Sequence, residues 1–209
     1  MSSMQHAWLG NYEVSSTSCT GLTFARHSHD ECVIGVNLLG QEQVWLDRRT
    51  FEAGPGSITL YNPGQIQGGG AAEGQPWRFV SLYATADQLA ADLGLVHLEF
   101  DRSLCFQPEL AMKLADAIEG SLSADPIARE LSEEALVVLL GEVVSCSGVR
   151  LPGSTAVGRG LVIKAQELLA ENLHQAVALE TLGDELGLSK FHLLRAFQKE
   201  TGLSPRQWA

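Results

Sequence analysis

At 209 residues, with 45% hydrophobic and 19% charged side chains, the chain suits one packed domain or two modest ones and excludes long disorder. No run approaches the roughly 18 apolar residues of a membrane span, and the opening "MSSMQHAWLGNYEV" lacks the basic start and apolar core of an export signal. The net charge of −11 argues against general nucleic-acid binding, but it is unevenly placed: residues 1–157 carry 8 Lys/Arg against 19 Asp/Glu, and residues 158–209 carry 6 of each. Any contact with DNA therefore belongs to the tail. Cys19, Cys32, Cys105 and Cys146 form no Cys-x-x-Cys pair, which reads as reduced thiols in a cytoplasmic protein.

From about residue 20 to 84 the pattern is of short strands, "GLTFAR", "CVIGVNLL", "QVWL", "SITLY" and "WRFVSLY", separated by turn chemistry such as "GPG" and "NPG". Such spacing predicts an antiparallel barrel or sandwich. The glycine-rich run 67–75 reads as a mobile loop. Within the first strands His27 and His29 alternate as metal-binding imidazoles do, so a metal site has to be weighed. Between 108 and 146 the period becomes helical. One helix opens with Pro108, and a second has Asp125 as N-cap and Pro126 at its first position. Leu136, Val137, Leu139, Leu140, Val143 and Val144 make the second helix apolar around much of its circumference. One face is suited to covering the barrel and another to meeting a second subunit. The small, polar, Pro/Gly-interrupted stretch 147–158 reads as a linker.

The tail carries the most specific pattern. Leu179, Leu182 and Leu186 mark a short amphipathic helix, Gly187 supplies a left-handed turn residue, and Ser189 stands as N-cap to a helix over Lys190–Glu200. This is helix-turn-helix spacing. At 100° per residue Leu193, Ala196 and Phe197 face a core. Phe191, Arg195 and Gln198 lie opposite, flanked by Leu194 and Lys199, as a row able to read base edges. Lys190, Lys199 and Arg206 suit phosphates.

The run Leu182-x3-Leu186-Gly187-x-Ser189-x3-Leu193-x-Arg195-x-Phe197-x4-Gly202-x-Ser204-Pro205 closely resembles the first helix-turn-helix of AraC-type transcription regulators. The resemblance implies that Phe191, Leu194 and Arg195 face bases, and that Ser189, Lys190 and Ser204 lie near phosphates. It also implies a second helix-turn-helix, reached through a long helix that would begin where residue 209 stands, so the module is expected to be truncated here.

The front domain resembles the cupin-like sensor that often precedes this module. Gly21-x5-His27-x-His29-x3-Val33-x6-Gly40 follows the first cupin motif, and Gly56-x6-Pro63-Gly64-x2-Gln67 approximates the second. In metal-binding cupins the ligands implied are two histidines, a glutamate and a third histidine; here the positions hold His27, His29, Val33 and Gln67. Valine donates nothing, and zinc or iron sites want at least three protein ligands. The expectation is therefore no metal and no cofactor, with both histidines lining a pocket for a small organic effector. Phe24, His27, His29, Trp45, Tyr61, Gln67, Trp77 and Phe79 are the candidate lining, with Tyr83 sharing the parity of Trp77 and Phe79.

No phosphate loop, nucleophile elbow or defensible acid–base pair is present, so no catalytic residue is assigned and the chain is not expected to be an enzyme. The resulting expectation is a cupin-like double-stranded β-helix barrel over 1–107, a dimerising helical pair over 108–146, a linker over 147–158 and a first helix-turn-helix over 159–209. Its partners would be operator DNA, a small effector and a second copy as homodimer, in the cytoplasm and away from membranes. Two alternatives stand beside it. One is a metal-dependent cupin enzyme or metal sensor using His27 and His29. The other is a truncated partner that dimerises with a complete regulator and poisons it.

Overall fold

The computed structural model describes residues 2–151, 159–172 and 177–209. Among these residues ten strands build two antiparallel sheets. The larger contains β1 (Ser3–Leu9), β2 (Tyr12–Thr20), β9 (Pro76–Ala84), β4 (Cys32–Leu39), β7 (Ser57–Tyr61) and β10 (Leu104–Phe106), in that order. The smaller contains β3 (Thr23–His27), β8 (Gln67–Ala71), β5 (Glu42–Leu46) and β6 (Arg49–Ala53). The strands expected over 20–84 are present, and β1 and β2 add a hairpin ahead of them.

The central strands of the larger sheet are covered on both faces, which explains their nearly unbroken apolar sequences. Cys32, Ile34, Val36, Ile58, Leu60, Val80 and Leu82 pack outward against helices. Val33 and Tyr61 of the opposite parity point inward, meeting Val44, Leu46 and Ala53 of the smaller sheet. Strand alternation thus separates a sheet–helix core from the barrel interior.

The glycine run expected to be a loop is instead strand β8, threaded between β3 and β5. Gly69 (φ +131°) and Gly70 (φ +149°) lie so close to their neighbours that a Cβ would stand 1.9 Å from the Gln43 carbonyl oxygen and 2.3 Å from that of Leu22. Only glycine fits both the conformation and the gap.

α1 (Ala86–Leu93), capped by the Thr85 hydroxyl and ended by left-handed Gly94, had no counterpart in the sequence reading. α2 (Pro108–Ser121) and α3 (Pro126–Cys146) begin where Pro108, Asp125 and Pro126 indicated, and the Asp125 carboxylate accepts from the Ile127 amide at 3.0 Å. Ser147 closes α3; of the linker expected over 147–158, residues 152–158 lie outside the described residues.

Helices α4 (Arg159–Glu171), α5 (Leu179–Leu186), α6 (Lys190–Thr201) and α7 (Pro205–Trp208) form the tail around Val162, Ala165, Leu169, Leu182, Leu186, Leu193, Ala196 and Phe197. Left-handed Gly187 and the Ser189 cap turn α5 into α6 as the sequence indicated. Among the described residues no helix is long and apolar enough to cross a membrane.

Candidate functional site

The barrel interior opens into a cavity of about 90 Å³. Four strands supply most of its wall, each through the parity that faces inward: Trp77, Phe79, Ser81 and Tyr83 from β9, Val33 and Asn37 from β4, Thr59 and Tyr61 from β7, and Glu42 from β5. Phe24 and His27 both line it although they are three residues apart on β3, a spacing that would place them on opposite faces of a regular strand. A register shift between them re-aims the chain. Trp77 and Phe79 stack at 4.2 Å between ring centroids, and Phe24 meets each of them edge-on at 6.0 and 6.3 Å.

The histidines stand at the mouth. His27 Nδ1 lies 2.7 Å from the Ala25 carbonyl oxygen and must donate to it, so its Nε2 accepts and the His29 Nε2–H donates across 3.1 Å. Burial, with the His27 charge next, lowers the pKa of His29. His27 pairs with Gln67 across β3 and β8, and Val33 faces the same space. The four positions of the cupin metal motif do converge. Their chemistry does not fit zinc or iron: valine offers no lone pair, glutamine only an amide, and among the described residues no group of three His, Cys, Asp or Glu is gathered.

Of the candidate lining residues, Phe24, His27, His29, Tyr61, Gln67, Trp77 and Phe79 border the cavity. Trp45 does not. Val44 and Leu46 point inward on β5, so Trp45 between them points out, where the Arg26 guanidinium stacks on its ring at 3.8 Å. The sequence reading missed Glu42, Asn37, Thr59 and Ser81. Glu42 shares parity with Val44 and Leu46, and that signal was available.

The candidate nucleic-acid interface departs more sharply from expectation. Arg195, Gln198 and Lys199 are exposed on α6, but Phe191 and Leu194 are buried, 3% and 0% exposed, in the same core as α1, α2 and α3. The second apolar side of α3 is thus covered by this chain's own α6. Gly141 makes the seat: a Cβ there would lie 2.2 Å from the Phe191 ring. The expectation of a free row through Phe191 and Leu194 is therefore corrected for this arrangement, because burial of two large apolar groups outweighs their exposure at roughly 1.5–3 kcal/mol each.

Polar contacts frame this seat. The Lys190 ammonium, 8% exposed, pairs with Asp92 of α1 at 3.4 Å and with Glu180 of α5. Burial works to lower its pKa, but the Glu180 bond and the Asp92, Glu180 and Glu133 charges raise it more, so the group stays charged. Asp92 also accepts from the Tyr12 hydroxyl and, at 3.1 Å, from Gln88. Across the seat Glu134 of α3 accepts from the Ser204 hydroxyl and, at 2.9 Å, from the Arg206 amide, while the Arg206 side chain pairs with Glu130 at 3.0 Å. Ser189, the cap of α6, stands against Gly94. Lys190 and Ser204, expected near phosphates, are thus engaged with protein. Glu134→Ala is expected to lower unfolding stability by about 1–3 kcal/mol, because it leaves buried donors unpaired; an unchanged urea midpoint would remove Glu134 from the seat.

Two family descriptions match: "AraC-like ligand binding domain" over residues 11–140 and "Bacterial regulatory helix-turn-helix proteins, AraC family" over residues 169–208. The uncharacterized HTH-type transcriptional regulator YbfI of Bacillus subtilis (strain 168) is 27% identical over 191 residues, covering 88% of this chain and 69% of that protein. The crystal structure of the AraC-like transcriptional activator CuxR superposes with a TM-score of 0.55 at 22% identity, over 99% of this chain and 77% of that one. With an acceptor-rich barrel at the front, a helix-turn-helix behind and these two matches across both, the chain belongs to the AraC family of transcription regulators.

Proposed function

We propose that the chain is a sequence-specific DNA-binding regulator whose reading helix is held in reserve by its own sensor domain, under the control of a small molecule in the barrel cavity. The observation that carries this reading is the seat of α6. The side of the helix that would enter a major groove is half turned inward, with Phe191 and Leu194 packed on α3 and Lys190 paired to α1.

In this reading Arg195, Gln198 and Lys199 reach DNA, and Ser189, Lys190, Phe191, Leu194 and Ser204 join them once α6 lifts. α2 and α3 are the elements that communicate, because α2 lies on the barrel sheet and α3 packs on α2 on one side and on α6 on the other. A ligand shifts the docked–undocked balance only by its preference for one state, and DNA must then shift ligand affinity by the same factor. The regulator works in the cytoplasm as a homodimer.

Selection from a random duplex pool tests the reading. The chain is expected to enrich a sequence motif, and Arg195→Ala and Gln198→Ala to lose it while keeping the unfolding midpoint within about 0.5 kcal/mol of wild type, as exposed substitutions do. Equal enrichment by wild type and both variants would sink the proposed reading face.

A further inference from the structure

The cavity has one charged group and several unmet polar atoms, and together they describe a ligand. Among the described residues that line it there is no Lys or Arg, and Glu42 is the one acid. An anion entering the barrel would meet a carboxyl and no fixed positive charge.

Asn37 narrows the choice further. Its Nδ2 donates to two carbonyl oxygens, of Gly40 at 2.9 Å and Ala53 at 2.6 Å. Both partners are acceptors, so the amide cannot be flipped and Oδ1 must point away from them. That Oδ1 is buried and has no partner among the described residues, on a side chain that lines the cavity and belongs to a residue only 2% exposed. It is an acceptor awaiting a donor. Ala53 lies directly opposite Glu42 in the β5–β6 register, so the Asn37 amide and the Glu42 carboxyl occupy the same level of the barrel. The Glu42 carboxyl makes no hydrogen bond or ion pair to the described residues, and burial raises its pKa to about 7. Two unmet acceptors at one level, below a wall of Trp77, Phe79 and Phe24, have the composition of a cation site.

We propose that the cavity takes a small organic ammonium ion, its N–H groups received by Glu42 and the Asn37 Oδ1, and its apolar body resting on Trp77, Phe79 and Phe24. The inference rests on the reading of the cavity as the effector site and names the chemical class of the effector. Size follows from volume. At about 10–15 Å³ per water, a cavity of about 90 Å³ takes roughly six to nine non-hydrogen atoms. The Trp77 Nε1–H, also buried without a partner among the described residues, leaves a donor for one hydroxyl or ether oxygen on that body.

The pH dependence has a fixed sign. An alkylammonium, titrating near the lysine value of about 10.4, stays charged throughout the neutral range. Glu42 is largely neutral at pH 6 and largely ionised at pH 8, so affinity rises with pH by roughly tenfold over that window. Around Glu42, Ala53 of β6 and Ala71 of β8 carry no charge, the Tyr61 and Tyr83 phenols of β7 and β9 are both raised by burial, and His27 and His29 stand at the mouth. His29, whose pKa burial lowers, would push in the same direction, and a His29→Ala control removes that contribution.

The test uses matched probes on the full chain: benzylamine, benzyl alcohol and benzoate, then butylamine, butanol and butyrate, by thermal shift and calorimetry at pH 6 and 8. The amine of each set is expected to bind at least tenfold more tightly than its alcohol at pH 8. Glu42→Gln, which keeps the shape, should abolish both that preference and the pH dependence of binding, and should raise the ligand-free midpoint at pH 8, where it removes a buried carboxylate. Preference for an alcohol or a carboxylate, binding indifferent to Glu42→Gln, or no binding by any probe overturns the inference. Duplex selection by the same preparation reads the regulator proposal separately. A chain that enriches DNA but ignores amines loses only the ligand class, and one that binds amines but enriches nothing loses only the reading face.

Discussion

Replacing Gly141 by leucine is expected to release α6 from the sensor domain and raise affinity for duplex DNA by roughly ten- to a hundredfold. The new side chain would occupy the space of the Phe191 ring, which lies 2.2 Å from where a Cβ would begin. Expelling Phe191 forfeits about 1.5–3 kcal/mol of burial, and each 1.4 kcal/mol is a tenfold change in a binding constant. The helix-turn-helix should survive, because Leu193, Ala196 and Phe197 hold α6 to α4 and α5 from its other side. α3 itself should gain, since glycine in a helix interior costs about 1 kcal/mol. A filter-binding titration together with the scattering radius measures both parts. A variant with wild-type radius and wild-type DNA affinity would remove Gly141 from any regulatory role.

The second large effect concerns Asp92. Asp92→Ala should lower unfolding stability by about 3 kcal/mol, at the lower end for a broken buried pair because Glu180 still holds the ammonium. It also strips the Tyr12 hydroxyl and Gln88 of their acceptor. Asp92→Ala with Lys190→Met should cost less than the sum of the two single changes, since no buried charge is then left behind. Strict additivity in a denaturant-unfolding cycle would mean that Lys190 and Asp92 do not act as a pair.

What could be read from the sequence followed from how local each signal was. Gly187, Ser189, Gly202 and the Ser204–Pro205 step govern only their own turns, and all of them stand where the sequence placed them. The strands of 32–39 and 57–61 are apolar on both parities because both faces of their sheet are covered, and their short length between turn-forming Gly and Pro residues identified them. β1 and β2 escaped notice because "SMQHAWL" lacks a regular alternation and "YEVSSTSCT" is largely polar, and both become strands by pairing with one another and, for β2, with β9. The β8 glycines read as a loop because close approach of β3 and β5 is a property of the neighbours, not of the run itself. The helix-turn-helix was legible but its docking was not. Phe191 and Leu194, apolar where a polar reader was expected, and α3, apolar on two sides, were complementary halves of one contact lying about fifty residues apart in the chain.

That separation also matters while the protein is being made. From Leu136 to Val144 α3 leaves little of itself to water, chiefly Glu142, and the part of its apolar surface around Gly141 waits for α6. At a synthesis rate of about 5–20 residues per second, the strip around Gly141 leaves the ribosome roughly 3–10 s before Phe191 follows it. Throughout that interval the nascent chain presents an apolar groove on α3 that its own reading helix has yet to cover.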